Sequence, residues 1–226
     1  MTAAIQTTRA KMPSKLKLLP YESYLKPVHT EDPIRYYYWP VLGPIYKKRV
    51  EWCLEECSGG ERILDVGFGS GVTFLNLNEG YDEIHGIDLT AAVDEVGRIF
   101  QERGIQTHLR QGNILDMPYG DDYFDTVMLI SILEHIKPHE QDRAMQEIRR
   151  VLKPGGQLVY GVPVERPLMI HAFHLLGHDI RAHHFSTEIE VREAAGRHFR
   201  QVRLRPMTTW VPFVNAVYEV GHFVKG

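Results

Sequence analysis

Asp65-Val66-Gly67-Phe68-Gly69-Ser70-Gly71 sets three glycines on alternate positions behind a carboxylate. Glycine carries no Cβ, so such a run can turn sharply and bring its backbone against a ligand. It directly follows Arg62 to Val66, which reads as a buried strand. A short helix predicted over Ser70 to Leu77 would aim free N–H groups and a positive partial charge into the turn, which suits a phosphate or a carboxylate. The order G-x-G-x-G differs from the dinucleotide fingerprint G-x-G-x-x-G, and no Gly-Lys-Ser/Thr follows as a P-loop requires. A purely structural βα turn is the alternative.

Asp88 closes a second predicted strand, Glu83 to Leu89, 23 positions after Asp65. An ionised carboxyl only accepts hydrogen bonds, so it can receive two from a ribose diol. The alternative is a helix cap beside Thr90. Gly112-Asn113-Ile114 follows a third strand, Gln106 to Arg110. The amide of Asn113 can donate to and accept from an adenine edge, and Ile114 can cover the ring. His135 stands just past a fourth strand and is the candidate general base, against a structural role in the turn.

Five of the twelve histidines fall between His171 and His184, at 171, 174, 178, 183 and 184. Imidazole is a good metal ligand, and His174 and His178 are four apart. Apart from Asp179, no carboxylate or thiol completes a familiar ligand spacing, so no metal is expected and substrate contact or a surface role remain. Tyr36, Tyr37, Tyr38 and Trp39 form either a lid over an acceptor or a staple for the N-terminal segment.

Elements must hold these groups in place. A helix over Ile45 to Cys57 would bury Ile45, Val50, Cys53 and Leu54. Thr90 reads as the N-cap of a helix carrying Ala92, Val96, Ile99 and Phe100 and closed by Gly104. Phe124 to Ile130 is apolar almost throughout, as a strand covered on both faces should be. Pro138 fits the first turn of a helix with Met145, Ile148 and Leu152 on one side. That helix ends at Lys153-Pro154-Gly155-Gly156, before a fifth strand, Gln157 to Val162. Thr187 and Glu190 have capping-box spacing, and Gly196 should close the helix they open. Gln201 to Pro206 is a sixth strand. Trp210, Phe213, Val214, Val217, Val220 and Val224 recur at helix-like spacing. Strands alternating with helices argue for a parallel sheet.

The chain has 226 residues, 43% hydrophobic and 24% charged, enough for a sizeable core. Its formal net charge of -3 and lack of a basic stripe speak against nucleic acid. Lys11, Lys15 and Lys17 read as a solvated arm in a loosely ordered stretch that runs to Pro33. Cys53 and Cys57, four apart on one helix, read as two buried thiols rather than a disulfide or half of a metal site. No signal peptide and no run of 18 apolar residues is seen, so a cytoplasmic location is expected.

Together these pieces resemble the core of class I S-adenosylmethionine (SAM) dependent methyltransferases, especially those acting on small molecules. The matching stretches are Ile63 to Gly71, His85-Gly86-Ile87-Asp88-Leu89, Gln111-Gly112-Asn113-Ile114, Asp122-Tyr123-Phe124-Asp125, Leu133-Glu134-His135-Ile136 and Arg150 to Gly156. The resemblance spans Ile63 to Pro163. It implies a doubly wound, mostly parallel seven-stranded Rossmann-like sheet: residues 1–57 as a tail and helical lid segment, 58–226 as the methyltransferase domain, with a core at 61–163 and a substrate-side connector at 164–186. It implies SAM as cofactor, S-adenosylhomocysteine as product and a small-molecule acceptor, in a monomer or homodimer. A lipid-linked or macromolecular acceptor, or a binding module without methyl transfer, are the alternatives. By the same resemblance Gly67, Gly69 and Gly71 approach the methionine part. Asp65 organises the loop and reaches the amino group through water, Asp88 holds the ribose hydroxyls, Leu89 is a further cofactor-binding residue, Asn113 and Ile114 contact adenine, and Ser131 lies near the methionine. Phe68 stands where a small residue or Cys is usual, and Asn113 where Asp is usual. Phe68 would crowd the cofactor or wall it.

Overall fold

The computed structural model describes residues 12–13, 15–24, 33–164, 184–208 and 216–226. Among these, seven strands form one sheet: β1 (Gly60–Val66), β2 (Tyr81–Asp88), β3 (Thr107–Gln111), β4 (Phe124–Ile130), β5 (Leu152–Pro163), β6 (Arg200–Thr208) and β7 (Ala216–Val224). Their order is β3-β2-β1-β4-β5-β7-β6. The first five strands are parallel, and β7 runs against both of its neighbours. The chain therefore winds outward from β1 in one direction through β2 and β3, and in the other through β4 and β5. That reversal opens a crevice at the carboxyl ends of β1 and β4, where open α/β sheets bind ligands.

The central strands are buried on both faces. Phe124, Val127, Met128 and Leu129 of β4 have no exposed surface, which accounts for their nearly continuous apolar run. Helices α1 (Ile34–Tyr37), α2 (Gly43–Glu56), α3 (Phe74–Gly80), α4 (Val93–Gln101), α5 (Gln141–Val151) and α6 (Glu188–His198) accompany the sheet.

Helix α2 buries Val50, Cys53 and Leu54 completely, but Ile45 is exposed. Ile45 precedes Val50 by five residues, which turns it about 140° off the buried stripe. Helix α3 starts at Phe74, later than expected, because Gly67, Gly69 and Gly71 all have left-handed φ and hold the chain out of helix until residue 71. Thr90 does not cap α4. Ala92 stands at that position without a side-chain bond, and the amides of Thr90 and Ala91 donate instead to Asp88 Oδ1. Gly104 ends the following turn at φ +76, with the Ile105 amide reaching back to Phe100.

Pro138 precedes α5 instead of lying in its first turn, and Leu152 already belongs to β5. The Thr187–Glu190 capping box forms as expected, yet α6 runs through Gly196 to His198; a glycine inside a helix weakens it without ending it. The larger correction is at the C-terminus. Ala216–Val224 is a strand, not a helix. Its neighbours cover it on both faces, which erases the period-two signal. Trp210, Phe213 and Val214 lie outside the described residues.

The stretch before α1 is also more ordered than its composition suggests. Met12, Leu16, Leu19 and Tyr24 are buried. Fully buried Asn76 clamps this strap: its side chain donates to the carbonyls of Pro13 and Lys15 and accepts from the Lys17 amide. Lys17 pairs with Glu79, while Lys11 lies outside the described residues.

Candidate active site at the carboxyl edge of the sheet

Three hydrogen bonds from glycine amides bring the loops after β1, β2 and β3 together. The Gly67 amide donates to the Ile87 carbonyl at 2.7 Å, the Gly69 amide to Asp88 Oδ2 at 3.0 Å, and the Gly112 amide to the Asp88 carbonyl at 2.9 Å. Asp88 is the hub. One carboxylate oxygen holds the glycine loop and the other holds the approach to α4. A cleft of about 670 Å³, lined by residues that include Ala91, Val93, Gln111 and Pro118, lies outward of this hub and contains none of the glycines.

Asp65 sits beneath the loop at 3% exposure and accepts a 2.5 Å hydrogen bond from Thr73 Oγ1. Burial raises its pKa to about 7; Thr73 works against that rise and the nearby Asp88 charge adds to it. Phe68 turns inward. Its ring packs 5.8 Å from Phe74 and would meet any Cβ placed on Gly86, so the side chain belongs to the core, neither crowding nor walling the crevice. Leu89 is well exposed. Asn113 is exposed and its Oδ1 accepts from the Leu115 amide. Ile114 is buried in the cluster that includes Leu64, Ile87 and Met117.

Ser131 follows β4 with φ +58, a left-handed conformation that serine seldom adopts. Its hydroxyl accepts from Arg49 and lies 3.0 Å from the Tyr218 hydroxyl. The Arg49 guanidinium stacks 4.4 Å from the Tyr218 ring centre and 4.8 Å from that of Tyr46. Burial opposes its charge, but Tyr218, Tyr37, Tyr46 and Glu134 more than compensate, and it stays protonated. A single 3-10 turn, Leu133–His135, follows. Ile132, just before it, would contact any Cβ placed on Gly67. His135 is exposed and meets His184 edge to face, ring centres 5.2 Å apart. His171, His174, His178 and His183 lie outside the described residues.

Reading the sequence missed Arg49, Tyr218, Thr73 and Glu134. Arg49 hides beside Lys47 and Lys48 as one more surface charge, yet it falls three after Tyr46 and four before Cys53, on the buried side. Tyr218 gains its place only once β7 is a strand, where its hydroxyl meets Ser131. The aromatic run Tyr36 to Trp39 divides. Tyr38 packs on Tyr21 and Tyr24 and bonds the Leu19 carbonyl, fastening the strap, whereas Trp39 is half exposed. The thiols of Cys53 and Cys57 are buried and free, and burial pushes that of Cys57 up to about 12, which leaves it inert at neutral pH.

Residues 64–160 match the family model described as a methyltransferase domain. This region is similar to class I SAM-dependent methyltransferase domains. Among curated relatives, the domain region is 34% identical over 137 residues to the ubiquinone/menaquinone biosynthesis C-methyltransferase UbiE of Vibrio parahaemolyticus, covering 54% of this chain and 52% of that protein. It is 32% identical over 140 residues to the O-methyltransferase cnsE of Penicillium expansum, covering 60% and 50%. The chain thus spans about half the length of the curated relatives it matches. Among solved structures, the geranyl diphosphate C-methyltransferase of Streptomyces coelicolor, in complex with Mg2+, geranyl diphosphate and S-adenosyl-L-homocysteine, superposes with a TM-score of 0.68 at 14% identity, over 94% of this chain and 90% of that one. The chain shares that fold, seven strands with the last pair antiparallel.

Proposed function

We propose that this chain is a SAM-dependent methyltransferase that moves the sulfonium methyl group to an O, N or C atom of a small-molecule acceptor. The observation that carries the reading is the convergence of three loops on Asp88. It puts a glycine backbone, a carboxylate suited to a diol and Asn113 on successive loops along one edge of the sheet. The donor set fits an amino-acid nucleoside. Asp65 is an acceptor for an ammonium, and Arg49 with Ser131 is a cationic patch for a carboxylate. Asp88 is a pure acceptor for ribose hydroxyls. Asn113, with Ile114 and Leu89 beside it, flanks the place for adenine.

Bound SAM supplies a methyl group already activated by its sulfonium. The protein's part is to hold the acceptor in line with that methyl and keep water out. Ile132, lying over Gly67, narrows the crevice beside the reacting centre. His135, exposed on the turn after β4, is the candidate group to take a proton from a hydroxyl or ammonium acceptor. The UbiE and cnsE relatives act at carbon and oxygen by name, so either atom class fits here. The free cysteines suit a reducing compartment such as the cytoplasm, and among the described residues no helix is long and apolar enough to cross a membrane.

Calorimetric titration with SAM and S-adenosylhomocysteine, followed by transfer of labelled methyl to a panel of hydroxylated and prenylated metabolites, tests the proposal. Saturable binding with labelled product is expected. Absence of binding would overturn the cofactor site, and binding without transfer to any acceptor would favour a non-catalytic module.

A further inference from the structure

We propose that Glu134, His135 and His184 form a binding site for a first-row divalent metal ion. Each residue offers one ligand atom, and these three atoms lie within 4.8 Å of one another. Ligand bonds of about 2.0–2.2 Å place neighbouring donors about 3–3.5 Å apart, so each pair must draw in by less than about 2 Å to close the set on an ion.

The convergence is built by the backbone. Glu134 and His135 share the turn after β4, while His184 arrives from a distant stretch. The Phe185 and Ser186 amides both donate to the Glu134 carbonyl, at 2.8 and 3.1 Å, and Ser186 Oγ donates to the Ile136 carbonyl at 2.6 Å. These bonds fasten the residues directly after His184 to the turn that carries the other two ligands. The imidazoles meet at 74°, so the rings are crossed and not stacked.

Chemistry narrows the ion. Two imidazoles with one carboxylate suit Mn2+, Co2+ or Zn2+, whereas Mg2+ and Ca2+ prefer oxygen ligands. Glu134 is 2% exposed and lies within the field of Arg49, so it serves both cations and the ion should bind with moderate affinity. Three protein ligands leave open positions for water or for an oxygen of the acceptor. With the ion in place, His135 is a ligand rather than a proton carrier, and the ion orients an oxygen-bearing acceptor beside Ser131. A second cluster, Glu83, His85 and His108, is weaker: Arg62 already pairs with Glu83 at 3.1 Å, and its two imidazoles stack nearly parallel, 24° apart.

The site does not depend on the cofactor reading, and its test reads metal binding first. Full-length protein stripped with a chelator is titrated with CoCl2, following the visible d–d bands, and with ZnCl2 by calorimetry. One ion per chain is expected. His135→Ala and His184→Ala should each weaken binding about tenfold or more, as should Glu134→Gln, which keeps the shape of the buried side chain. His108→Ala should change nothing. Circular dichroism melting verifies the fold, and His135→Gln and His184→Gln replace any alanine variant that fails to fold. No saturable binding, or binding unchanged in the His135 and His184 variants, overturns the site. Loss of the ion with SAM affinity intact separates it from the cofactor site.

Discussion

Thr73 donates a 2.5 Å hydrogen bond to Asp65, and so ties the end of β1 to the residue just before α3. The bond holds a carboxyl group whose pKa burial has lifted to about 7. An unfolded chain would titrate this group near 3.8. Between those two pH values the folded state keeps a proton that the unfolded state has lost, so the contribution is full below the unfolded pKa and fades as pH rises through about 7. Asp65→Asn removes the titration. The stability of wild type relative to Asp65→Asn should fall between pH 5 and pH 8, roughly the window the two pKa values set. Urea unfolding of both proteins at the two pH values measures it, and a constant difference would contradict the raised pKa.

Asp88 holds three backbone amides now and is assigned two ribose hydroxyls. Charge-assisted hydrogen bonds contribute about 1.5–3 kcal/mol each. Asp88→Ala should therefore weaken SAM at least tenfold in calorimetry. Asp88→Asn, which keeps one acceptor, should fall between. Wild-type affinity in Asp88→Ala would remove this residue from the site.

Gly71 is irreplaceable for two reasons at once. Its φ is +73, and an added Cβ would come within 2.7 Å of the Phe74 and Phe100 rings, which are fully buried. Left-handed strain and overpacking together should cost Gly71→Ala about 2–4 kcal/mol, read as a lower urea midpoint. A neutral result would mean that the loop can refold around the methyl.

Arg49→Lys keeps the charge but loses the planar fork that meets Ser131 and stacks on Tyr218. If Arg49 receives the methionine carboxylate, SAM should bind about tenfold more weakly, a loss of ~1.4 kcal/mol. Adenosine, which has no carboxylate, should bind unchanged. Equal losses for both ligands would point to general damage of the pocket.

Asn76 holds the strap by three hydrogen bonds, all between 2.9 and 3.0 Å. Asn76→Ala should release it. Trypsin should then cut after Lys15 and Lys17 faster than in wild type, with stability lowered by about 1–3 kcal/mol. An unchanged digestion pattern would show that Met12, Leu16 and Leu19 hold the strap alone.

The parallel core was legible because its signals are local. Glycines after β1, a carboxylate ending β2 and the unbroken apolar run of β4 each declare themselves within a few residues. The parts that escaped depend on distant partners. Gly161 and Gly221 look like flexible points in the sequence. In the sheet each leaves room for a tyrosine of the neighbouring strand, Tyr218 over Gly161 and Tyr160 over Gly221. That exchange belongs to two strands, and neither sequence contains it alone. Arg49 likewise looks solvated until Tyr218 and Ser131 surround it, and the approach of His184 to His135 is set by bonds to the Glu134 carbonyl, which no side-chain pattern encodes. The glycine loop shows the converse: its residues were visible, but the turning of the Phe68 side chain into the core follows from Gly86 on β2.

Strand β7 follows the other six strands along the sequence, yet it lies inside the sheet and brings Tyr218 against Arg49 and Ser131. A ribosome that has delivered the glycine loop, Asp88 and Asn113 has still not delivered the wall behind Ser131. Nascent chains can prepare most of the crevice, but its cationic corner waits for β7 to slide between β5 and β6. Truncations that stop short of residue 218 should therefore lose that corner together with the sheet's edge.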